Sequence, residues 1–156
     1  MSTDRASGRV LGLDVGDRRI GVAISDPDRT FALPLHSVER DRRGGELEAL
    51  ADLAAADDVT DIVVGLPLSL SGEASAQTNT TTAFAKELEK RLDLPVHLWD
   101  ERLSTQEALR RVADDDRRTG RRSRGRSHPS EVDTDALAAS IILQAYLDRQ
   151  RFVRNE

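Results

Sequence analysis

The sequence predicts an α/β protein whose mixed β-sheet has helices on both faces, and three observations support this prediction. Apolar, β-branched runs alternate with longer segments of helical periodicity. The first three runs have short connections, which is typical of an antiparallel meander, whereas later runs are separated by helices, which is typical of parallel strands. The length of 156 residues fits one domain with a single mixed core.

Three strands are predicted at the start of the chain. Residues 9–15 form a short apolar run that ends in a Gly-Asp turn, and residues 19–25 form a second run before the turn sequence Asp26-Pro27-Asp28. Residues 31–38 form a weaker third strand. Pro34 places this strand at an edge of the sheet, because proline cannot donate a ladder hydrogen bond.

Helical and strand patterns then alternate. Residues 46–56 place leucine and alanine at helical spacing, and residues 60–66 form a β-branched apolar run typical of a buried strand. After a loop at 67–73 that contains glycine, serine and proline, residues 74–92 are predicted as a long helix. Residues 95–100 are predicted as another strand, so parallel neighbours joined by crossover helices are expected in this half.

Two further helices complete the predicted order. Ser104-Thr105-Gln106-Glu107 has the pattern of a capping box, which predicts a helix that begins at Ser104 and continues through Val112. Residues 130–146 are predicted as a final helix that is apolar on most sides and therefore buried. The complete order, βββαβαβαα, is that of a ribonuclease-H-like sheet.

Composition predicts a cytoplasmic protein. Hydrophobic residues make up 38% of the chain and charged residues 33%, as in globular proteins, and the longest apolar stretch is much shorter than the roughly 20 residues of a membrane-spanning helix. The first residues are polar and lack the apolar core of a signal peptide. Because the chain has no cysteine, disulfides, thiolate zinc sites and a cysteine nucleophile are excluded. A single domain is predicted over 1–156, with frayed tails at 1–8 and 149–156.

One arginine-rich segment contrasts with an otherwise acidic chain. Six arginines lie within ten residues that contain no acid, namely Arg117, Arg118, Arg121, Arg122, Arg124 and Arg126. The net charge is -5, so the rest of the chain carries -11. Because the arginine fork suits bidentate phosphate contacts, residues 116–130 are predicted to form a mobile basic loop that binds nucleic acid. The alternative is a solvated loop without a binding role.

Acidic residues occur where the pattern predicts strand ends and the start of a buried helix. They are Asp14 at the end of the first strand, Asp100 and Glu101 at the end of the strand 95–100, and Asp133 and Asp135 near the start of the last helix. A buried carboxylate needs a partner, and ligands gather at strand ends in α/β sheets. Each acid also has an ordinary interpretation as a turn or helix-start residue. Alternation sends Asp100 and Glu101 to opposite faces, so at most one of them joins Asp14 directly.

Taken together, the acids predict a site for hard divalent cations. Mg²⁺ and Mn²⁺ prefer carboxylate oxygens as ligands. Two such ions, roughly 3.5–4 Å apart, activate water and stabilise the leaving oxygen in phosphodiester cleavage. The sequence therefore predicts a two-metal site for Mg²⁺ or Mn²⁺ and a reaction on nucleic acid.

The motifs that contain these acids resemble those of the YqgF/RuvX family, described as Holliday junction resolvases and as nucleases that mature the 5′ end of precursor 16S ribosomal RNA. The matching blocks are Leu11-Gly12-Leu13-Asp14-Val15-Gly16, Arg19-Ile20-Gly21-Val22-Ala23-Ile24-Ser25-Asp26, Val63-Val64-Gly65-Leu66-Pro67-Leu68 with Gly72, Asp100-Glu101-Arg102-Leu103-Ser104-Thr105, and Asp135-Ala136-Leu137-Ala138-Ala139-Ser140-Ile141-Ile142-Leu143. They occur in the family's order and span the chain from about Val10 to Leu147.

The resemblance implies a ribonuclease-H-like nuclease in which Asp14, Glu101 and Asp135 are the catalytic, metal-holding acids. Within the last block, the spacing to the apolar residues selects Asp135, while Asp133 and Asp100 remain alternative ligands. This implied assignment defines the candidate active site.

Arginines in the matched blocks are further candidates for nucleic-acid contact, namely Arg19 and Arg102. The basic segment also falls where the family usually has a basic, mobile loop, although here it consists almost wholly of arginine. Asp17 departs from the family pattern, which more often has a small hydroxyl residue there, so no side-chain role is predicted for it.

The predicted function is a metal-dependent endonuclease acting on structured nucleic acid, in 5′-end processing of precursor 16S rRNA, Holliday junction resolution or both. Because a four-way junction is two-fold symmetric, resolving it would require a homodimer, whereas trimming an RNA end needs one site. A non-catalytic nucleic-acid-binding or regulatory protein is the alternative, although it would not need three convergent acids. The first block also resembles the phosphate loop of actin-like ATPases, but those proteins need a second domain that 156 residues do not provide.

Overall fold

A computed structural model describes residues 8–104 and 133–154 of the chain. Within these ranges one sheet contains five strands: β1 (Arg9–Val15), β2 (Arg19–Ser25), β3 (Ala32–Glu39), β4 (Val59–Leu66) and β5 (Val96–Asp100). The longer helices of the same ranges are α1 (Gly45–Ala56), α2 (Ala76–Leu92) and α3 (Thr134–Arg154). Residues 101–104 are also helical.

The strand order in the sheet is β3-β2-β1-β4-β5. The pairs β1–β2 and β2–β3 are antiparallel, whereas β4 lies parallel to β1 and β5 lies parallel to β4. The predicted meander, the parallel half and the edge position of β3 are therefore confirmed. The carboxyl ends of β1, β4 and β5 meet at one edge of the sheet, where the predicted acids of β1 and β5 lie.

Two apolar cores lie on opposite faces of the sheet, as the prediction of helices on both faces requires. One face packs against α1 and α2, and its buried side chains include Leu11, Leu13, Ile62, Leu50, Phe84 and Leu88. The other face packs against α3, and its buried side chains include Val10, Ala23, Val63, Ala139, Leu143 and Leu147. Because neighbouring residues of a strand point to opposite faces, this division decides which acids can meet.

The helix after β5 begins earlier than its capping pattern predicts. Residues 101–104 are already helical, so Ser104 does not cap the helix, and its hydroxyl donates to the carbonyl oxygen of Glu101 at 3.5 Å. Asp100 is the residue at the start, because its Oδ1 accepts from the backbone N–H of Arg102 at 3.0 Å. The remainder of the predicted helix, through Val112, lies outside the described residues.

The last helix is shifted toward the carboxyl end of the chain relative to its prediction. Asp133 precedes α3, so the predicted start at Ser130 is too early, and α3 continues past Tyr146 to Arg154. Burial of Leu147 at 1% exposure explains the continuation, because another helical turn is held in the core. The helix thus includes residues 149–154, for which the sequence predicts a frayed tail. No helix within the described ranges is long and apolar enough to cross a membrane.

Candidate active site

Asp14 lies on the face of the sheet that α3 covers. It is the penultimate residue of β1, and its neighbours Leu13 and Val15 belong to the opposite core. In the antiparallel ladder Asp14 pairs with Gly21 of β2, and α3 passes over this glycine. The carboxyl group of Asp14 is therefore partly buried between the sheet and the start of α3.

Glu101 reaches the same place from β5. Trp99 pairs with Gly65 of β4, and a Cβ atom built on Gly65 would lie 2.8 Å from Oε2 of Glu101. The missing side chain of Gly65 thus leaves the space that the Glu101 carboxylate and Cδ1 of Ile142 occupy. The side chains of Glu101 and Asp14 are hydrogen-bonded to each other. The structure thus brings Asp14 and Glu101 together, and we call them the acid pair.

The acid pair is electrostatically unfavourable without a cation. Burial, followed by the negative charge of Asp14, raises the pKa of Glu101 to about 7. Burial also raises the pKa of Asp14, the hydrogen bond from Glu101 opposes this rise, and the charge of Asp135 adds to it. Two carboxyl groups that share a proton here would both ionise beside a divalent cation, whose preferred ligands are carboxylate oxygens. The donor set therefore fits Mg²⁺ or Mn²⁺.

Asp135 lies beside the acid pair but is held by other partners. Its backbone covers Gly21, since a Cβ on that glycine would overlap the Asp135 carbonyl group. Its Oδ2 atom accepts from Nε of Arg19 at 2.9 Å and from the hydroxyl of Ser37 at 3.4 Å. Within the described ranges no three His, Cys, Asp or Glu side chains already surround one point as metal ligands would. Both contacts engage the Oδ2 atom of Asp135, so one oxygen of this carboxylate is already shared with Arg19 and Ser37.

Asp133 has a different position and is the N-cap of α3. Its Oδ1 accepts from the backbone N–H groups of Asp135 and Ala136, both at 3.1 Å. The Ser37 hydroxyl of β3 contacts its two carboxylate oxygens at 2.6 and 2.8 Å, and this hydrogen bond holds the pKa of Asp133 below its usual range. The helix-start interpretation therefore describes Asp133. Sequence analysis missed Ser37, because nothing in an edge strand signals a contact with a helix almost a hundred residues later.

We expect Asp133→Asn to retain both stability and cleavage, because asparagine caps helices as well as aspartate does. Asp133→Ala should lose about 1 kcal/mol of unfolding free energy, since two backbone N–H groups lose their acceptor. Urea unfolding of the two variants tests the stability, and cleavage assays test the function. Loss of cleavage in a fully stable Asp133→Asn protein would instead show that Asp133 is a metal ligand.

Asp100 points away from the acid pair. It lies on the face opposite Glu101, and its carboxylate accepts from Arg102 Nε at 3.0 and 3.1 Å and from Nη2 at 2.6 Å. The hydrogen bonds from Arg102 hold the pKa of Asp100 below its usual range. Arg102 also donates to the carbonyl oxygen of Leu70 at 3.2 Å, so the pair links β5 to the loop after β4. Arg102, a predicted nucleic-acid contact, is thus engaged within the protein.

Of the remaining predicted nucleic-acid contacts, the structure describes Arg19 but not the arginine-rich segment. Arg19 is exposed at the start of β2, close to the third acid. The arginine-rich segment, residues 117–126, lies outside the described residues.

The strand order and the helices on both faces of the sheet define a ribonuclease-H-like α/β fold. Among solved structures, the RuvC protein of Thermus thermophilus in complex with a Holliday junction substrate matches with a TM-score of 0.55 at 17% identity, covering 92% of this chain and 96% of that one. The fowlpox virus resolvase with Holliday junction DNA matches with a TM-score of 0.50 at 9% identity, covering 91% and 98%. At these identities the likeness concerns the fold alone.

Sequence comparison assigns the family. A family model described as "RuvX: Holliday junction resolvase" matches residues 8–149, and the chain belongs to this family. A protein of Maridesulfovibrio salexigens is 43% identical over 141 residues, covering 90% of this chain and 98% of that protein. A protein of Koribacter versatilis is 40% identical over 149 residues, covering 96% and 92%. Both carry the name "Putative pre-16S rRNA nuclease". The resemblance drawn from the motifs is therefore confirmed.

Proposed function

We propose that this chain is a Mg²⁺- or Mn²⁺-dependent endonuclease that hydrolyses phosphodiester bonds in structured nucleic acid. The acid pair is the observation that supports this proposal. Two partly buried carboxyl groups in contact, with Asp135 close by, cost stability in the absence of a cation. Such an arrangement is expected where a functional site requires it.

Each acid has a defined position in the proposed reaction. Asp14 and Glu101 come from β1 and β5 at the carboxyl edge of the sheet, and α3 supplies Asp135 from above. Asp14, Glu101 and Asp135 would hold a divalent cation, which when bound would activate water and neutralise charge at the leaving oxygen. Strand β1 fixes Asp14, the helical turn that follows β5 fixes Glu101, and the close contact of α3 with Gly21 fixes the height of Asp135 above the sheet. Exposed arginines beside the site then bind the phosphates that flank the cut.

Two substrate classes follow from the family and its relatives. The description of the family model names a Holliday junction resolvase, and the names of the relatives refer to a nuclease of precursor 16S rRNA. We propose 5′-end processing of that RNA, junction resolution or both, in the cytoplasm, with a homodimer required for a two-fold symmetric junction. The arginine-rich segment would add phosphate contacts that are independent of base sequence.

A non-catalytic nucleic-acid-binding protein is the second candidate function. It would use the same arginines but would gain nothing from the acid pair, whose mutual repulsion opposes both folding and the approach of a polyanion. The two functions therefore differ in what the removal of one acid does. Binding alone should improve when Glu101 loses its charge, whereas cleavage should disappear.

The test compares Glu101→Gln with its neighbour Asp100→Asn in cleavage of a four-way DNA junction and of an rRNA-precursor mimic with Mg²⁺ or Mn²⁺. Each change removes one negative charge, but only Glu101 lies with Asp14. We expect Glu101→Gln to lose cleavage by roughly 10³-fold and Asp100→Asn to retain most of it. Loss of cleavage in Asp100→Asn alone would reverse the assignment of the pair. Absence of wild-type cleavage on both substrates would favour the binding function.

A further inference from the structure

Asp135, the third proposed ligand beside the acid pair, forms an ion pair with Arg19. Arg19 begins β2, and alternation places its side chain on the same face of the sheet as Gly21. Gly21 is the cross-strand partner of Asp14, so Arg19 and Asp14 share this face. Nε of Arg19 donates to Oδ2 of Asp135 at 2.9 Å. The guanidinium is therefore located at the border of the acid cluster, with one carboxylate of the cluster as its partner.

This ion pair is exposed and is therefore weak enough to exchange. The Arg19 side chain is 53% exposed and the Asp135 side chain is 37% exposed. Exposed pairs of this kind contribute little, because water solvates both charges when they separate. In the described contacts the guanidinium donates to Asp135 through Nε alone, whereas a bidentate arginine–carboxylate pair would use two nitrogens.

The ion pair is not what fixes the start of α3. Asp133 caps the helix with its own carboxylate and is held by Ser37, and the helix backbone rests on Gly21. Both contacts are independent of the Arg19 side chain. Separation of Arg19 from Asp135 would therefore leave the third acid in place.

We propose that Arg19 exchanges partners during the reaction: it neutralises Asp135 in the cation-free protein, and it binds a backbone phosphate of the substrate once a divalent cation takes Asp135. This inference rests on the proposed function, because it assumes that Asp135 holds the cation. Arg19 would thus compete with the cation for Asp135 before the cation binds, and it would contact nucleic acid afterwards.

The chemistry of both partners fits the guanidinium. A carboxylate and a phosphate both present negatively charged oxygens to the N–H donors of the guanidinium. Once the cation has neutralised Asp135, the substrate phosphate is the negatively charged partner that remains for Arg19. Removal of the Arg19 side chain should therefore change cation binding and the reaction with substrate in opposite directions. Loss of the competitor tightens cation binding, whereas loss of the phosphate contact weakens the reaction with substrate.

The experiment measures these two effects separately in Arg19→Ala, with Arg18→Ala as the matched control. Arg18 is the adjacent exposed arginine, so its removal changes the net charge equally without touching Asp135. Mn²⁺ binding is measured without nucleic acid by electron paramagnetic resonance. Cleavage of the four-way DNA junction and of the rRNA-precursor mimic is then measured at saturating Mn²⁺.

We expect Arg19→Ala to bind Mn²⁺ about two- to fivefold more tightly than the wild type, which is the range that exposed ion pairs contribute. Its kcat/KM at saturating Mn²⁺ should fall by roughly 10- to 100-fold, as for loss of one charge-assisted hydrogen bond. Arg18→Ala should change both quantities by less than about twofold, because solvent and salt screen its charge. Arg19→Lys should restore part of the cleavage, because lysine keeps the charge but not the fork.

Unchanged or weaker Mn²⁺ binding in Arg19→Ala would overturn the exchange, because the ion pair would then not compete with the cation. Tighter binding with undiminished kcat/KM would also overturn it, since Arg19 would not reach the substrate. A failure of the proposed function looks different. In that case Asp135→Asn would bind Mn²⁺ as tightly as the wild type, and no variant would cleave.

Discussion

Asp14→Asn is expected to abolish cleavage by roughly 10³-fold or more while the protein stays folded. The amide keeps the size of the side chain on β1 but removes the charge that would hold a cation. Asp14 interacts with both other acids, because it is hydrogen-bonded to Glu101 and the charge of Asp135 raises its pKa. Junction and RNA cleavage with Mg²⁺ and Mn²⁺ measures the loss. Asp17→Asn, an exposed acid in the adjacent turn, is the control and should cleave normally.

The same variant should be more stable than the wild type when cations are removed with EDTA. The folded pKa of Glu101, about 7, lies above its usual 4.5. The stability that a protonated Glu101 contributes is therefore fully present below about pH 4.5 and is lost as the pH rises through 7. At pH 8 both acids of the wild type are charged and repel each other, so Asp14→Asn should raise the melting temperature more at pH 8 than at pH 5. Equal changes at both pH values, or wild-type cleavage by the variant, would contradict the assignment of the acid pair.

Gly21→Ala is expected to cost about 3 kcal/mol of unfolding free energy, the upper part of the usual range for overpacking. A methyl group at Gly21 would overlap the Asp135 carbonyl and come within 3.0 Å of the Ala136 nitrogen, and a helix backbone cannot rotate aside as a side chain can. The start of α3 must therefore move away from β2. A displacement of about 1 Å at Asp135 should also reduce cleavage by roughly 10²-fold.

Gly44→Ala is the matched control for this change. Gly44 has a positive φ of 79°, but no atom lies within 4 Å of a Cβ built there. It should lose only about 1 kcal/mol from backbone strain and should cleave normally. Urea unfolding and cleavage assays distinguish the two variants. If Gly21→Ala were as stable and active as Gly44→Ala, close approach of α3 would not be what positions Asp135.

The sheet was largely predictable from sequence, because its signals are local. Short apolar runs, short turns and one proline in β3 were sufficient to place the strands along the chain, the antiparallel meander and the edge position of β3. The helix boundaries were less predictable. The start of the helix after β5 depends on Asp100, whose capping role is visible only in its contact with the Arg102 backbone. The end of α3 depends on the burial of Leu147 against a distant strand.

The structure brings together two of the acids that the motifs singled out, Asp14 and Glu101, but the contacts of the candidate site were not predictable from the sequence. Alternation required Asp100 and Glu101 to face apart, but the cores on the two faces were needed to show that Glu101 shares the α3 face with Asp14. The partners of the last two acids could not be predicted, because Arg19 and Ser37 meet Asp135 and Asp133 only through tertiary packing. The sequence motifs contained Gly21 and Gly65 without indicating that both make space for acidic residues.

The position of α3 after all five strands of the sheet has a consequence for synthesis. The helix packs mainly on β1, β2 and β3, which leave the ribosome before it does, and it carries Asp135, the third proposed ligand. A nascent chain that still lacks residues 134–154 has an uncovered sheet face and only two of the three carboxylates. We expect such a chain to be incompetent as a nuclease, so that RNA near the translating ribosome is safe from it until α3 docks. Folding order would then time the onset of activity without any inhibitor.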